Sequence, residues 1–520
     1  MKEDCKLFSD VFAGESEEND LALLYEGVSY TRGELRKGAE LCAAELVRAG
    51  VRRGDHVALW AYNSADWLMA LLGIVRLGAV AVLINSAMPR AAVEPLISFC
   101  DCGALVYGLN RDTYHHENTG VQLASELGLT GKTLDLRKLC LKERIAAGEE
   151  SPTLPPEDAD ETRTAVIIFT TGTTAEPKAV MLSQRSILRN ARDAVLHAEE
   201  DFCHERACVA LPLFHSYGLT VLFSFLLMGK TICLLSRLKS DELIDTVGRY
   251  RIGMVASVGI LYLGMLSSPR FKSEVAPYVR LCIVGGEFTD PQQIYRTYRA
   301  YPEITFAIGY GQTEASPIIT RVCAADSPEK RAETVGTPLP GTEIRITTPD
   351  GTEQTRGVPG EVLVRSGSLM NGYYRVPPEK QPIDKNGWLH TGDLGYLDED
   401  GYLHLTGRIK DIIIKNGENI SPAEIERALR SCRGVKEVRV LGAPSPECGE
   451  EIEACLTMME GYRFDEGSVR TQLMHCLIKF KIPANFFVYD TFPLHSNGKL
   501  NVQELRSSML ERLEKKNDKA

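Results

Sequence analysis

Short apolar, β-branched runs alternate with amphipathic stretches through most of this chain, and that alternation limits the fold more than any other feature. His56–Trp60, Gly78–Ile84, Ala165–Phe169, Thr231–Leu235, Met254–Val258, Leu281–Val284 and Thr305–Ile308 read as strands. Helical patterns separate several of them, and Ser64 and Ser183 stand where N-caps are needed. A chain with this rhythm covers mostly parallel sheets with helices. From Gly360 the texture changes to short strands and glycine turns, as in Gly360–Arg365 and Tyr402–Thr406. This predicts a small, more antiparallel, barrel-like β section. After Arg408 the pattern reads helix (Pro422–Cys432), strand (Val438–Gly442), strand (Ile452–Met458), helix (Asp465–Phe480), strand (Phe486–Tyr489) and helix (Val502–Lys515). The expected fold is α/β: a large N-terminal domain of helix-covered sheets over residues 1–409, then a small α+β domain over residues 410–520.

Composition enters as a test of that division. At 520 residues, 44% hydrophobic and 25% charged, the chain has material for two or more cores, and extended disorder is excluded. Its net charge of −11 argues against an open nucleic-acid surface. From Lys410 onward there are 17 basic and 17 acidic residues, so the whole acidic excess lies in the first 409. A neutral small domain is suited to handling a polyanion. The acidic, proline-containing stretch 149–161 reads as a surface linker.

The polar start Met1-Lys2-Glu3-Asp4-Cys5 is no secretory signal, and the apolar runs Val221–Gly229 and Leu77–Asn85 are too short to span a bilayer. Trp67–Ile84 is longer but carries Arg76, so a buried helix and strand are expected there. The 14 cysteines are scattered, with one C-x-C at Cys100 and Cys102, which points to reduced thiols in the cytoplasm.

The most informative segment is the loop from Phe169 to Val180, Phe-Thr-Thr-Gly-Thr-Thr-Ala-Glu-Pro-Lys-Ala-Val. Small residues let backbone N–H groups converge on an anion, threonine hydroxyls add donors, and Lys178 adds a compact positive charge. The common phosphate loop G-x-x-x-x-G-K-[ST] is absent.

This loop resembles the signature [ST]-[ST]-G-[ST]-T-G-x-P-K-G of the adenylate-forming superfamily, which holds acyl-CoA synthetases, peptide-synthetase adenylation domains and luciferases. Ala175 and Ala179 stand at family glycines, so a stiffer loop is expected. Six further segments resemble family motifs in the same order: Leu211–Gly218, Gly285–Glu287, Gly309–Glu314, Trp388–Asp393, Gly407–Asp411 with Asn416–Glu426 after it, and Pro493–Lys499.

The resemblance implies activation of a carboxylate by transfer of AMP from ATP, followed by thiol attack on the acyl-adenylate. It implies that Thr170, Thr171, Gly172, Thr173, Thr174 and Lys178 cradle the phosphates. Glu314 would bind Mg²⁺ and Thr313 the α-phosphate. Tyr310 would stack on adenine, with Gly286 and Glu287 beside it; Asp393 and Arg408 would hold the ribose. Lys499 would bridge carboxylate and phosphate during adenylation. The small domain is then mobile, rotating about Lys410 to bring Asn416 and Gly417 beside a coenzyme A channel. His215, Val258, Gly259, Gly309 and Ala315 are the implied acyl-pocket residues, with His215 as wall or gate.

The segment around His215 has no aspartate to pair a substrate ammonium, and only about twenty residues follow Lys499. Both disfavour an amino-acid-activating domain with its carrier. The expected substrates are a small carboxylic acid, ATP and coenzyme A, with a medium or long fatty acid ahead of an aryl acid. An acyl-AMP ligase loading a carrier protein and a non-catalytic nucleotide-binding relative are the alternatives. A nicotinamide dehydrogenase lacks its G-x-G-x-x-G loop here.

Overall fold

Burial of one apolar stripe per helix against a sheet organises the larger part of the molecule. The computed structural model describes residues 5–12, 18–108, 119–150, 153–170, 178–202, 204–285, 291–416, 418–494 and 500–517. The chain divides into two compact units, one of residues 1–344, 364–390 and 401–403, the other of residues 345–363, 391–400 and 404–520.

Among the described residues the first unit holds a nine-stranded and a seven-stranded sheet. Across the larger sheet the order is Thr337–Pro338, Ile318–Arg321, Thr305–Gly311, Leu281–Val284, Met254–Ser257, Arg206–Ala210, Thr231–Leu234, Leu21–Tyr25 and Val28–Thr31. The six strands from Thr305–Gly311 to Leu21–Tyr25 are parallel, and antiparallel strands close both edges. The smaller sheet runs Gly372–Tyr373, Lys178–Ser183, Thr164–Thr170, Val80–Leu83, His56–Ala61, Cys102–Gly108 and Thr133–Asp135. Its last five strands are parallel, and Lys178–Ser183 turns back antiparallel on Thr164–Thr170.

One continuous core draws on both sheets and on the helices Arg32–Arg48, Ala65–Arg76, Gln184–Leu196 and Ser216–Leu227. Helix Ser216–Leu227 is apolar on nearly every face because it is buried on nearly every face. Ser64 caps its helix by accepting from Trp67 N at 3.0 Å, and Ser183 accepts from Ser186 N at 3.0 Å. The apolar stretch 67–84 is a buried helix followed by the strand Val80–Leu83. Gly78 takes φ +69 in the turn between them, so the expected strand start at Gly78 moves two residues on.

Between residues 342 and 408 the strands Thr342–Thr347, Gly360–Ser366, Leu389–Leu397 and Leu403–Arg408 form a four-stranded sheet, which is the expected change of texture. In the second unit Gly449–Met458 is the central strand of a five-stranded sheet: it pairs with the edge strand Val435–Ser445 in a hairpin and with Ile413–Lys415 and Asn485–Val488, and Glu418–Ile420 pairs with Ile413–Lys415. Helices Pro422–Arg430, Glu466–Met474 and Val502–Asn517 belong to this unit. The helix expected over 465–480 is shorter than its pattern. Arg470 donates to Pro483 O at 2.8 Å and to Ala484 O at 2.6 Å, so the chain after Met474 returns alongside the helix instead of extending it. No described helix is long and apolar enough to cross a membrane. The described cysteines are all free.

Candidate active site

The antiparallel pair Thr164–Thr170 and Lys178–Ser183 fixes both ends of the threonine loop. Thr170 and Lys178 are register partners, facing each other across the two strands. Thr171, Gly172, Thr173 and Thr174 lie outside the described residues. Ala175 lies outside them too, but Ala179 does not. It sits buried in the strand opposite Phe169 with an ordinary negative φ. The family glycine at that position is therefore replaced without backbone strain.

Lys178 is exposed, and its Nζ stands 4.8 Å from the centre of the Tyr373 ring. The hydroxyl of that ring donates to Glu314 Oε1 at 2.7 Å. Glu314 is buried in the single turn Thr313–Ala315, and its backbone carbonyl accepts from Met370 N at 2.9 Å. Burial and the Glu314 carboxylate both push the Tyr373 phenol well above the usual range, so it stays a donor. Tyr373 carries no sequence signal. It reaches Glu314 because Gly372–Tyr373 pairs with Val180 and Met181 at the edge of the smaller sheet.

Thr313 and Ser216 hydroxyls lie 3.3 Å apart, with Ser216 donating. The turn itself is held tightly: a Cβ on Gly311 would come within 1.8 Å of Pro317 O, so only glycine fits there. Tyr310, one residue earlier in the same strand, is buried. Thr313, Glu314 and Lys178 are thus brought to one locality of the first unit through Ser216 and Tyr373, two residues that the sequence reading did not select.

His215 precedes helix Ser216–Leu227 at its N-cap position, with its ring 4.6 Å from that of Phe214. Val258 is the N-cap of helix Gly259–Ser267, directly after strand Met254–Ser257, and Gly259 is its first residue. Gly309 lies in strand Thr305–Gly311 where a Cβ would stand 3.1 Å from Thr320 O, and Ala315 is buried. The segments Pro212–His215, Val258–Gly259 and Gly309 all follow or end parallel strands, the usual site of a ligand crevice in such sheets. Gly286 and Glu287 lie outside the described residues. Gly285, just before them, is packed so closely that a Cβ would meet the Tyr217 ring at 2.9 Å.

In the second unit Asp393 is 4% exposed and pairs with Arg408 Nε at 2.8 Å. Its backbone N–H donates to Thr391 Oγ1 at 3.0 Å, and Thr391 donates to Val362 O at 2.6 Å. Lys410 follows on the short turn Ile409–Asp411. Burial and, after it, the charge of Arg408 hold its ammonium below the ordinary lysine range. Asn416 takes a left-handed φ of +52 and donates its N–H to Cys448 O at 2.7 Å. Gly417 and Lys499 lie outside the described residues.

The arrangement suits a magnesium nucleotide. Magnesium takes one or two carboxylates and completes its shell with phosphate oxygens and water. Glu314 offers one oriented carboxylate near a lysine. Among the described residues no cluster of three or more His, Cys, Asp or Glu side chains is poised to hold a metal without such a ligand. A buried carboxylate beside a guanidinium, as at Asp393, is an acceptor for sugar hydroxyls.

Two regions match known families: residues 12–374 match the AMP-binding enzyme family and residues 424–499 the AMP-binding enzyme C-terminal domain. A feruloyl-CoA synthase of Amycolatopsis sp is 31% identical over 487 residues, covering 93% of this chain and 95% of its own. The human mitochondrial medium-chain acyl-CoA ligase ACSF2 is 28% identical over 526 residues, covering 95% and 85%. Among solved structures, the o-succinylbenzoate CoA synthetase MenE of Bacillus subtilis in complex with its acyl-adenylate intermediate superposes with a TM-score of 0.81 at 28% identity, covering 96% and 97%. The same protein in complex with ATP and magnesium ion gives 0.79 at 28% identity, covering 93% and 95%.

Proposed function

Because the chain belongs to the AMP-binding enzyme family as an AMP-forming, ATP-dependent acyl- or aryl-CoA ligase, we propose that it makes the thioester of a medium- or long-chain fatty acid. The observation that carries the adenylation chemistry is the buried Glu314 held by Tyr373, whose ring lies beneath the lysine of the threonine loop. Free carboxylates resist thiol attack because oxide leaves poorly, and adenylation supplies a better leaving group. Most of the rate then comes from positioning and charge neutralisation.

In this reading the residues 170–174 and Lys178 hold the β- and γ-phosphates. Glu314 holds Mg²⁺, which would lower the charge that the carboxylate must approach. Thr313, kept by Ser216, donates to the α-phosphate. Tyr310, Gly286 and Glu287 take adenine, and Asp393 with Arg408 takes the ribose. Lys499 neutralises the meeting oxygens. Residues 410–520 act as a mobile domain, Lys410 as its hinge, and Asn416 with Gly417 as the coenzyme A side. The cytoplasmic placement expected from the thiols belongs to the same proposal.

The fatty-acid preference rests on the likeness of the segments around His215 and Gly309 to fatty-acyl-CoA and aryl-CoA ligases; the small residues Gly259, Gly309 and Ala315 and apolar Val258 leave room for a chain or a ring. The second reading is an aryl acid, favoured by the 31% identity to a feruloyl-CoA synthase. Pyrophosphate release with Mg·ATP across fatty, aryl and amino acids, with and without coenzyme A, separates them. We expect the highest kcat/KM with a fatty acid and coenzyme A. Preference for an aryl acid replaces the first reading by the second, and turnover only with a carrier protein as acceptor rejects coenzyme A. Absence of turnover with every acid rejects the ligase assignment.

A further inference from the structure

A cavity of about 510 Å³ lies at the other end of the nine-stranded sheet from the candidate acyl residues. Arg206 on its wall opens strand Arg206–Ala210, and Gly253 immediately precedes Met254–Ser257. Lys230 and Arg280 precede the neighbouring strands Thr231–Leu234 and Leu281–Val284. These strands are parallel, so their starts come together here, while His215, Val258 and Gly285 follow their ends. Strands of four or five residues separate the two places by about 15 Å.

Positive charge is concentrated at this cavity. Arg206 and Arg251 line it, with Glu205 as the lining carboxylate. Arg280 and Lys230 stand close enough to act electrostatically on His204, another lining residue. Two lining arginines thus stand beside one lining acid, with two further cations near His204, in a chain whose net charge is −11. None of the four forms an ion pair among the described residues; Arg206 donates to Tyr250 O at 2.9 Å, and Arg280 to the carbonyls of Ala276, Pro277 and Val279.

His204 is wedged against the backbone of Gly253, where a Cβ would come within 2.4 Å of its Cγ. Its Nε2 is buried without a hydrogen-bond partner. Burial, then Arg280 and Lys230, hold the imidazole below its ordinary pKa. Tyr278, half-buried on the same wall, adds an aromatic face.

We propose that this cavity binds a small anion carrying two or more phosphate groups, with Arg206 and Arg251 as its phosphate ligands and Tyr278 as a platform for a ring where the anion has one. Guanidinium groups match phosphate geometry with paired donors. The volume lies in the range of small-molecule sites, and bases stack on exposed aromatic faces. None of these residues belongs to the adenylation site, so occupancy here competes with none of the reactants.

The test uses the full chain with two probes, inorganic pyrophosphate and guanosine diphosphate. Calorimetric titrations compare the wild type with Arg206→Gln/Arg251→Gln, and any binding to the adenylation site is common to both. We expect the double variant to lose a pyrophosphate-binding event at least tenfold in affinity, with acid-dependent pyrophosphate release unchanged. A ring-bearing ligand is expected to bind the wild type more tightly than pyrophosphate, an advantage that Tyr278→Ser removes. The ring resonances of His204 in ¹³C-histidine-labelled wild type, assigned with His204→Gln, report the same event without altering the arginines. Equal titrations for wild type and double variant, or a His204 resonance unmoved at saturating pyrophosphate, overturn the proposal. Guanosine diphosphate binding no tighter than pyrophosphate overturns the role of Tyr278.

Discussion

Tyr373 orients Glu314 from a place in the chain that no motif marks. Glu314 sits inside Y-G-Q-T-E and was legible in the sequence, whereas Tyr373 arrives through an edge-strand pairing that only the folded sheet creates. Groups that orient a metal ligand are worth ~10–100-fold in metal affinity. Tyr373→Phe is therefore predicted to shift the Mg²⁺ titration of pyrophosphate release upward by that factor while keeping the ring under Lys178. A titration that superimposes on the wild type would show that the hydrogen bond does not serve the metal.

A second residue-scale prediction concerns Glu453, buried in the second unit with Oε1 accepting from Asn485 Nδ2 at 3.1 Å and Oε2 unpartnered. Burial is the main cause that pushes its pKa up from 4.5 to about 7, with Glu451 adding to it. The folded state binds this proton more tightly than the unfolded chain. Stability from it is thus fully present below about pH 4.5 and is lost as pH rises through about 7. A shift of that size is worth about 3 kcal/mol. Glu453→Gln should abolish this loss, and urea melts at pH 5 and pH 8 check it. An unchanged difference between the two pH values would refute the assignment.

At the scale of elements, close approach explains what propensity cannot. Helix Ala65–Arg76 lies so near helix Arg32–Arg48 that a Cβ on Gly73 would stand 2.8 Å from Ala39 O and 3.0 Å from Ala43 N. Gly73→Ala is expected to destabilise the first unit by about 1–3 kcal/mol, although alanine is the better helix former. Chemical denaturation followed by fluorescence measures this, and a stabilised variant would show that the helices part easily.

The turn Glu199–Phe202 is tied to strand Ile318–Arg321 by the buried pair Asp201–Arg321 at 2.7 Å. Asp201→Asn leaves the guanidinium buried without its counter-charge, a loss of about 3–5 kcal/mol. A cost below 1 kcal/mol in the same denaturation assay would mean that other groups accommodate Arg321. Neither feature was legible in advance, since both depend on which elements meet. The caps at Ser64 and Ser183 were legible because capping is local. The overlong helix at 465–480 shows the converse: its apolar pattern continues beyond Met474, but the chain turns back there and its carbonyls at Pro483 and Ala484 accept from Arg470, a tertiary contact that the local pattern does not carry.

For the whole molecule, strand alternation and seven ordered motifs sufficed to read an α/β chain of this family. The acyl specificity was not legible, because it depends on how side chains from separate strand ends share one space. The proposed division of labour predicts that Lys499→Ala abolishes acid-dependent pyrophosphate release yet spares thioester formation from supplied acyl-AMP. Equal loss of both half-reactions would reject a role confined to adenylation. One feature of the first unit bears on how fast such a reaction can begin. The Tyr373 ring lies under Lys178 and its hydroxyl on Glu314, and no ion pair joins the lysine to the carboxylate. The aromatic ring is an insulating spacer between opposite charges. Under the proposed function, a magnesium nucleotide would find both poles already apart, with no internal bridge to break before it is grasped from its two sides.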